Sequence, residues 1–166
     1  AGFAQLIEDL RQNFNCQVAL FGGAEDGAVV RDVLERCAHR AIDLGGQISL
    51  HELPAAIRRC RVFVTNDSGP MHIAVAERVP TVAVFCATTP ALGFYPYSQQ
   101  AIVVQKDLSC RPCTTHGGRR CPLGHQACSE LIPPPSVLAA VNKFLRADVA
   151  LGAAPLTSFH PKFLTV

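Results

Sequence analysis

Apolar positions along the chain follow two spacings. Phe3, Leu6, Ile7, Leu10 and Phe14 recur every three or four residues, which predicts an opening amphipathic helix. Residues 16–21 then form a short, largely apolar run that ends at Gly22-Gly23, the pattern of a buried strand and a turn. Val29, Val33, Leu34 and Cys37 share one face of a second helix, running from Glu25 to about Arg40. A short strand over 41–44 precedes Gly45-Gly46, and Leu53, Ile57 and Cys60 mark a short third helix. Further on, the pattern predicts a strand over 61–66, a helix over 69–78, a strand over 80–85, a last strand over 101–104 and a closing helix over 137–149.

Strands that are apolar throughout and alternate with helices signal a parallel sheet covered on both faces. The expected class is therefore α/β, a Rossmann-like doubly wound parallel sheet formed by residues 1–150, with 151–166 as a tail. Two stretches, 87–100 and 107–135, fit no regular element. Both follow strand ends, the edge where open α/β sheets place their binding sites.

Composition narrows the classes. The chain has 166 residues, of which 49% are hydrophobic and 17% charged, as in a globular domain. A formal charge of +2, with its basic residues scattered, gives no footprint for nucleic acid. No apolar run approaches the ~18 residues of a membrane span, and the start carries no secretory signal. The first residues read as the inside of a helix already under way, so the chain is expected to be a piece of a longer protein, located in the cytoplasm.

Asn66-Asp67-Ser68-Gly69-Pro70-Met71-His72 lies between a predicted strand and a predicted helix. Asp67 or Ser68 can cap the helix start, Pro70 suits its first turn, and Gly69 lets backbone come close to a ligand. Such a start offers N–H groups and a positive dipole end to a diphosphate. An ordinary capped helix with a structural histidine at His72 accounts for the local sequence equally well.

Residues 64–74 and 79–85, taken together, resemble the carboxy-terminal domain of glycosyltransferase family 9, the ADP-heptose:lipopolysaccharide heptosyltransferases, and most of all the second heptosyltransferase type. The resemblance continues in Phe21-Gly22-Gly23-Ala24-Glu25, Ile48-Ser49-Leu50, Leu108-Ser109-Cys110-Arg111-Pro112-Cys113, Cys121-Pro122-Leu123-Gly124-His125 and Cys128. It implies the donor half of a two-domain GT-B enzyme that transfers heptose, with inversion, from ADP-heptose to the inner core of lipopolysaccharide. It also implies that Asp67, Ser68, Gly69 and His72 hold the diphosphate and sugar, that Glu25 bonds the ribose, and that Ile48 packs near the adenine. Thr88-Thr89-Pro90 stands at the family's Thr-x-Pro loop, preceded here by Cys86-Ala87 instead of Gly-Pro. The family's base is a carboxylate of the amino-terminal domain, which also meets the lipopolysaccharide acceptor and any peripheral membrane contact. No cofactor is required for that transfer, and no catalytic group is expected within these residues.

Eight cysteines are many for this length. Cys16, Cys37, Cys60 and Cys86 fall in apolar segments and read as small buried hydrophobes. Cys110, Cys113, Cys121 and Cys128 form an irregular four-thiol set. A Cys-x2-Cys pair can meet one tetrahedral metal, but the second pair has six intervening residues. Three readings stay open: a structural zinc with His116 or His125 as substitute ligands, disulfides, or unlinked thiols. At least three sulfurs are expected to converge, and nothing marks any of them as an activated nucleophile. Two rival functions remain beside the glycosyltransferase. An NAD-linked oxidoreductase wants Gly-x-Gly-x-x-Gly after the first strand, and residues 21–27 lack that spacing. A non-catalytic zinc-binding module would use the thiols alone.

Overall fold

The computed structural model describes residues 2–67, 69–118, 120–146 and 162–165. Its contacts fall into two compact units, residues 1–53 and 54–166.

In the first unit, α1 (Gly2–Asn13) is followed by β1 (Ala19–Gly22), a single 3-10 turn (Ala24–Asp26), α2 (Gly27–Arg36) and β2 (Ile42–Gly45). β1 and β2 pair in parallel, Ala19 with Ile42 through Gly22 with Gly45. Ala4 and Ile7 of α1 pack with Val33 and Cys37, with Val18, Leu20 and Ala41 against them. α2 buries Val30, Val33 and Leu34, whereas Val29 is 64% exposed. The core-facing position is thus one residue later than expected, because the helix proper begins only after the 3-10 turn. Val30 also explains the two glycines that close the strands. A Cβ at Gly22 would lie 2.9 Å from Val30 Cγ2, and one at Gly45 3.0 Å from Val30 Cγ1. The paired glycines let α2 settle directly on the strand ends, which fixes the turns that follow them.

The second unit carries α3 (Leu53–Arg58, which starts at the boundary), β3 (Phe63–Asn66), α4 (Gly69–Ala76), β4 (Thr81–Phe85) and β5 (Ala101–Gln105). α5 (Ala127–Glu130), α6 (Pro134–Leu145) and β6 (Lys162–Thr165) complete it. Its four strands pair in parallel in the order β3-β4-β5-β6. Met71, Ala83, Phe85 and Val103 form a core cluster beneath Tyr95. Met71 and Phe85 are fully buried, each stabilising by roughly 1.5–3 kcal/mol relative to exposure. The one polar side chain deep in β4, Thr81, donates its hydroxyl to the carbonyl of Val79 at 2.8 Å.

The α/β class with parallel strands is the expected one. Three details differ. Strand pairing forms two sets, not one. The last strand is β6 and not β5, and it lies in what was expected to be a tail. α6 begins at Pro134, ahead of the expected 137, since prolines suit a helical first turn. The expected end of that helix at 149 lies outside the described residues.

Candidate functional site

The strands β1 to β5 each lead at their carboxyl end into a loop that carries one of the expected site residues or a partner of one. In the first unit, Glu25 sits exposed in the 3-10 turn after β1. Asp26 fixes that turn by accepting the backbone N–H of Gly23 at 2.9 Å. Ile48, half-buried, follows β2. Its loop is fixed by the Glu52 carboxylate, which accepts the Ser49 backbone N–H at 3.0 Å and the Ser49 hydroxyl at 2.6 Å. The Ser49 hydroxyl, more than its N–H, holds Glu52 below the usual carboxylate range. The two loops adjoin: Gly46 is left-handed at φ +68, and a Cβ on it would lie 3.5 Å from Ala24 Cα.

In the second unit, Asp67 leaves β3 with its backbone N–H on the carbonyl of Val84 at 3.1 Å. Its half-buried carboxylate accepts a short hydrogen bond from the hydroxyl of Thr88, which is itself buried beyond the end of β4. Gly69 opens α4, and a Cβ there would meet no protein atom within 4 Å, so packing within the chain does not demand the glycine. His72 is exposed in the first turns of that helix, while Met71 and Ala74 anchor its other face. Ser68 lies outside the described residues. Thr89 is half-buried and lines a neighbouring cavity of about 450 Å³ with Tyr95, Asp107 and Arg111.

Arg111 was not expected to matter. Its guanidinium donates to the carbonyl of Phe85 at 3.1 Å and, in short hydrogen bonds, to the carbonyls of Lys106 and Thr88. It therefore ties the ends of β4 and β5 to the loop that presents Thr88 to Asp67. Its Nε is buried without a partner.

The cysteines depart from expectation. Cys37 is core, but Cys16 and Cys60 are only half-buried, and Cys86 lines a second cavity of about 360 Å³ together with Asp67 and Thr88. Burial pushes the Cys86 thiol up to about 11, reinforced by Cys128 and Asp67 and opposed by Arg111. Cys110, Cys113, Cys121 and Cys128 are all free thiols, and no group of three or more His, Cys, Asp or Glu among the described residues could hold a metal ion. Cys128 lies close enough to Cys113, Cys121 and Cys86 to feel their charge, so these thiols neighbour one another without forming a metal-holding group, and the loop also engages them locally. Cys113 Sγ donates to the carbonyl of Cys110 at 3.5 Å. Cys121 is drawn into a nest of backbone N–H groups, chiefly that of Gln126, then of Leu123, His125 and Gly124. His125 Nδ1 accepts the backbone N–H of Ala127 at 3.0 Å.

That nest holds the Cys121 thiol below its ordinary value, against a smaller opposing effect of desolvation, so it forms thiolate at a lower pH than Cys86 or Cys128, whose burial pushes them up. The thiolate is the nucleophile. Iodoacetamide at neutral pH should therefore label Cys121 well ahead of Cys86, read by peptide mapping over time. Labelling of Cys86 first would contradict this arrangement.

A model of the family described as glycosyltransferase family 9 (heptosyltransferase) matches residues 1–123. The chain belongs to that family. Among the relatives of this family 9 chain, the lipooligosaccharide heptosyltransferase 2 of Campylobacter jejuni subsp. jejuni serotype O:6 is 29% identical over 143 residues, covering 85% of this chain and 44% of that protein. The lipopolysaccharide heptosyltransferase 3 of Escherichia coli K12 is 30% identical over 149 residues, covering 88% and 42%. The solved structure of the Escherichia coli ADP-heptose lps heptosyltransferase II has a TM-score of 0.70 at 30% identity, over 87% of this chain and 40% of that one. The chain thus spans less than half the length of these relatives. Among the described residues no helix is long and apolar enough to cross a membrane.

Proposed function

We propose that this chain is the donor-binding, carboxy-terminal part of a two-domain GT-B heptosyltransferase, and that it holds ADP-heptose for inverting transfer to the inner core of lipopolysaccharide. The observation that carries the reading is the Asp67–Thr88 pair beside the open start of α4, at the carboxyl ends of β3 and β4 in a family 9 chain. The helix start supplies N–H groups and dipole to the departing diphosphate. The Asp67 carboxylate is acceptor-only, and with one site taken by Thr88 it has others for hydroxyl donors of the sugar. Gly69 and His72 border the same helix start, Glu25 bonds the ribose and Ile48 packs on the adenine.

An acceptor hydroxyl displaces ADP at the anomeric carbon, and the base that takes its proton is a carboxylate outside these residues. No cofactor enters the transfer. The donor is cytoplasmic in this reading, and the acceptor meets the other domain at the membrane surface. The test is a calorimetric titration of the full-length protein with ADP-heptose and NAD. Binding of ADP-heptose in preference to NAD is expected, and the reverse preference would return the oxidoreductase reading.

A further inference from the structure

The cavity beside Asp67 has a wall that the donor reading does not use. Besides Asn66, Asp67 and Thr88, it is lined by His116, Gly117 and Gly118 of the cysteine-rich loop. That loop is fastened down at several points. The Cys113 backbone N–H donates to the carbonyl of Ala87 at 2.9 Å, beside the residue that pairs with Asp67. The Thr114 hydroxyl donates to the carbonyl of Gly117 at 2.8 Å, closing the turn that contains His116. Gly117 is left-handed at φ +72, and a Cβ there would lie 3.6 Å from Thr88 Cγ2 and 3.7 Å from Ala87 Cβ. The imidazole of His116 is set against the Phe94 ring, with centroids 6.0 Å apart and planes tilted by 49°.

We propose that His116, held by this loop in the wall of the cavity that Asp67 and Thr88 also line, reads the hydroxyl groups of the donor's sugar and so sets which sugar is accepted. The inference rests on the proposed function and assigns the cysteine-rich loop a part in it. At about 360 Å³ the cavity lies within the ~300–1,000 Å³ range of small-ligand clefts. Its charged group is the Asp67 carboxylate, and no lysine or arginine lines it among the described residues. A diphosphate there would face like charge, whereas a polyhydroxyl group would donate to the carboxylate and exchange hydrogen bonds with an imidazole, which offers one donor and one acceptor when neutral. The diphosphate is then left to the start of α4, and the sugar lies under the loop.

The test compares wild type, His116→Ala and His116→Gln in the full-length protein, titrated with ADP and separately with ADP-heptose. His116→Ala should weaken ADP-heptose about 3- to 10-fold, the scale of one neutral hydrogen bond, and leave ADP within about twofold. His116→Gln, which keeps a donor and an acceptor, should recover part of the loss. An equal loss for both ligands would place the loop's effect on the nucleotide or on folding and overturn the inference, as would unchanged affinity for both. Wild-type protein that binds neither ligand would overturn the donor reading itself, and this inference with it.

Discussion

Replacing Asp67 with alanine in the full-length protein is expected to lower kcat/KM for heptose transfer, and affinity for ADP-heptose, by about 10- to 150-fold. A hydrogen bond to a charged group contributes about 1.5–3 kcal/mol, and each 1.4 kcal/mol is one decade. Asp67 also holds the hydroxyl of Thr88, a residue that is 8% exposed, and that hydroxyl would lose its acceptor. Part of the loss therefore reflects a displaced Thr88 loop. Asp67→Asn keeps an acceptor for Thr88 and removes only the charge, so its loss should be smaller. Steady-state kinetics with both variants, alongside thermal melts to confirm folding, separates the two contributions. Wild-type kinetics in folded Asp67→Ala would mean that the donor lies elsewhere.

Residues 1–166 alone are expected to show no measurable heptose transfer while keeping weak affinity for ADP. Loss of a positioned base typically costs ~10²–10⁴-fold in rate. Loss of acceptor positioning adds an entropic contribution that reaches ~7–11 kcal/mol in well-oriented systems. A donor site with one wall open also stays wet, which weakens every electrostatic contact to the diphosphate. The assay is transfer to a truncated core acceptor, run side by side with the full-length protein. Turnover by the isolated residues near the full-length rate would place the base among them and end this division of labour.

How much of this was legible in the sequence depends on the range of the interaction involved. β4 and β5 stand out because each is an almost wholly apolar run, and α1 and α6 because their buried residues repeat at helical spacing. Asp67, Gly69 and Thr88 could be read because they fall just past strand ends in motifs of fixed spacing. β6 could not, since four residues give no period and its partner β5 lies far back in the chain. α5 is equally short and sits in a loop rich in Gly, Pro and Cys. Arg111 gave no signal as an organising residue. Its acceptors, Phe85, Thr88 and Lys106, lie at or just past the ends of two strands and come together only when β4 pairs with β5. The cysteine spacing points to metal binding and to His116 as a substitute ligand, whereas its place in the cavity that Asp67 lines emerges only from the fold.

The measurement that bears most directly on the donor site is a crystal structure of the full-length protein with ADP bound. The account predicts the diphosphate at the start of α4, within hydrogen-bond distance of backbone N–H groups near Gly69. A diphosphate bound instead at the Gly22-Gly23 turn, with the start of α4 empty, would contradict it.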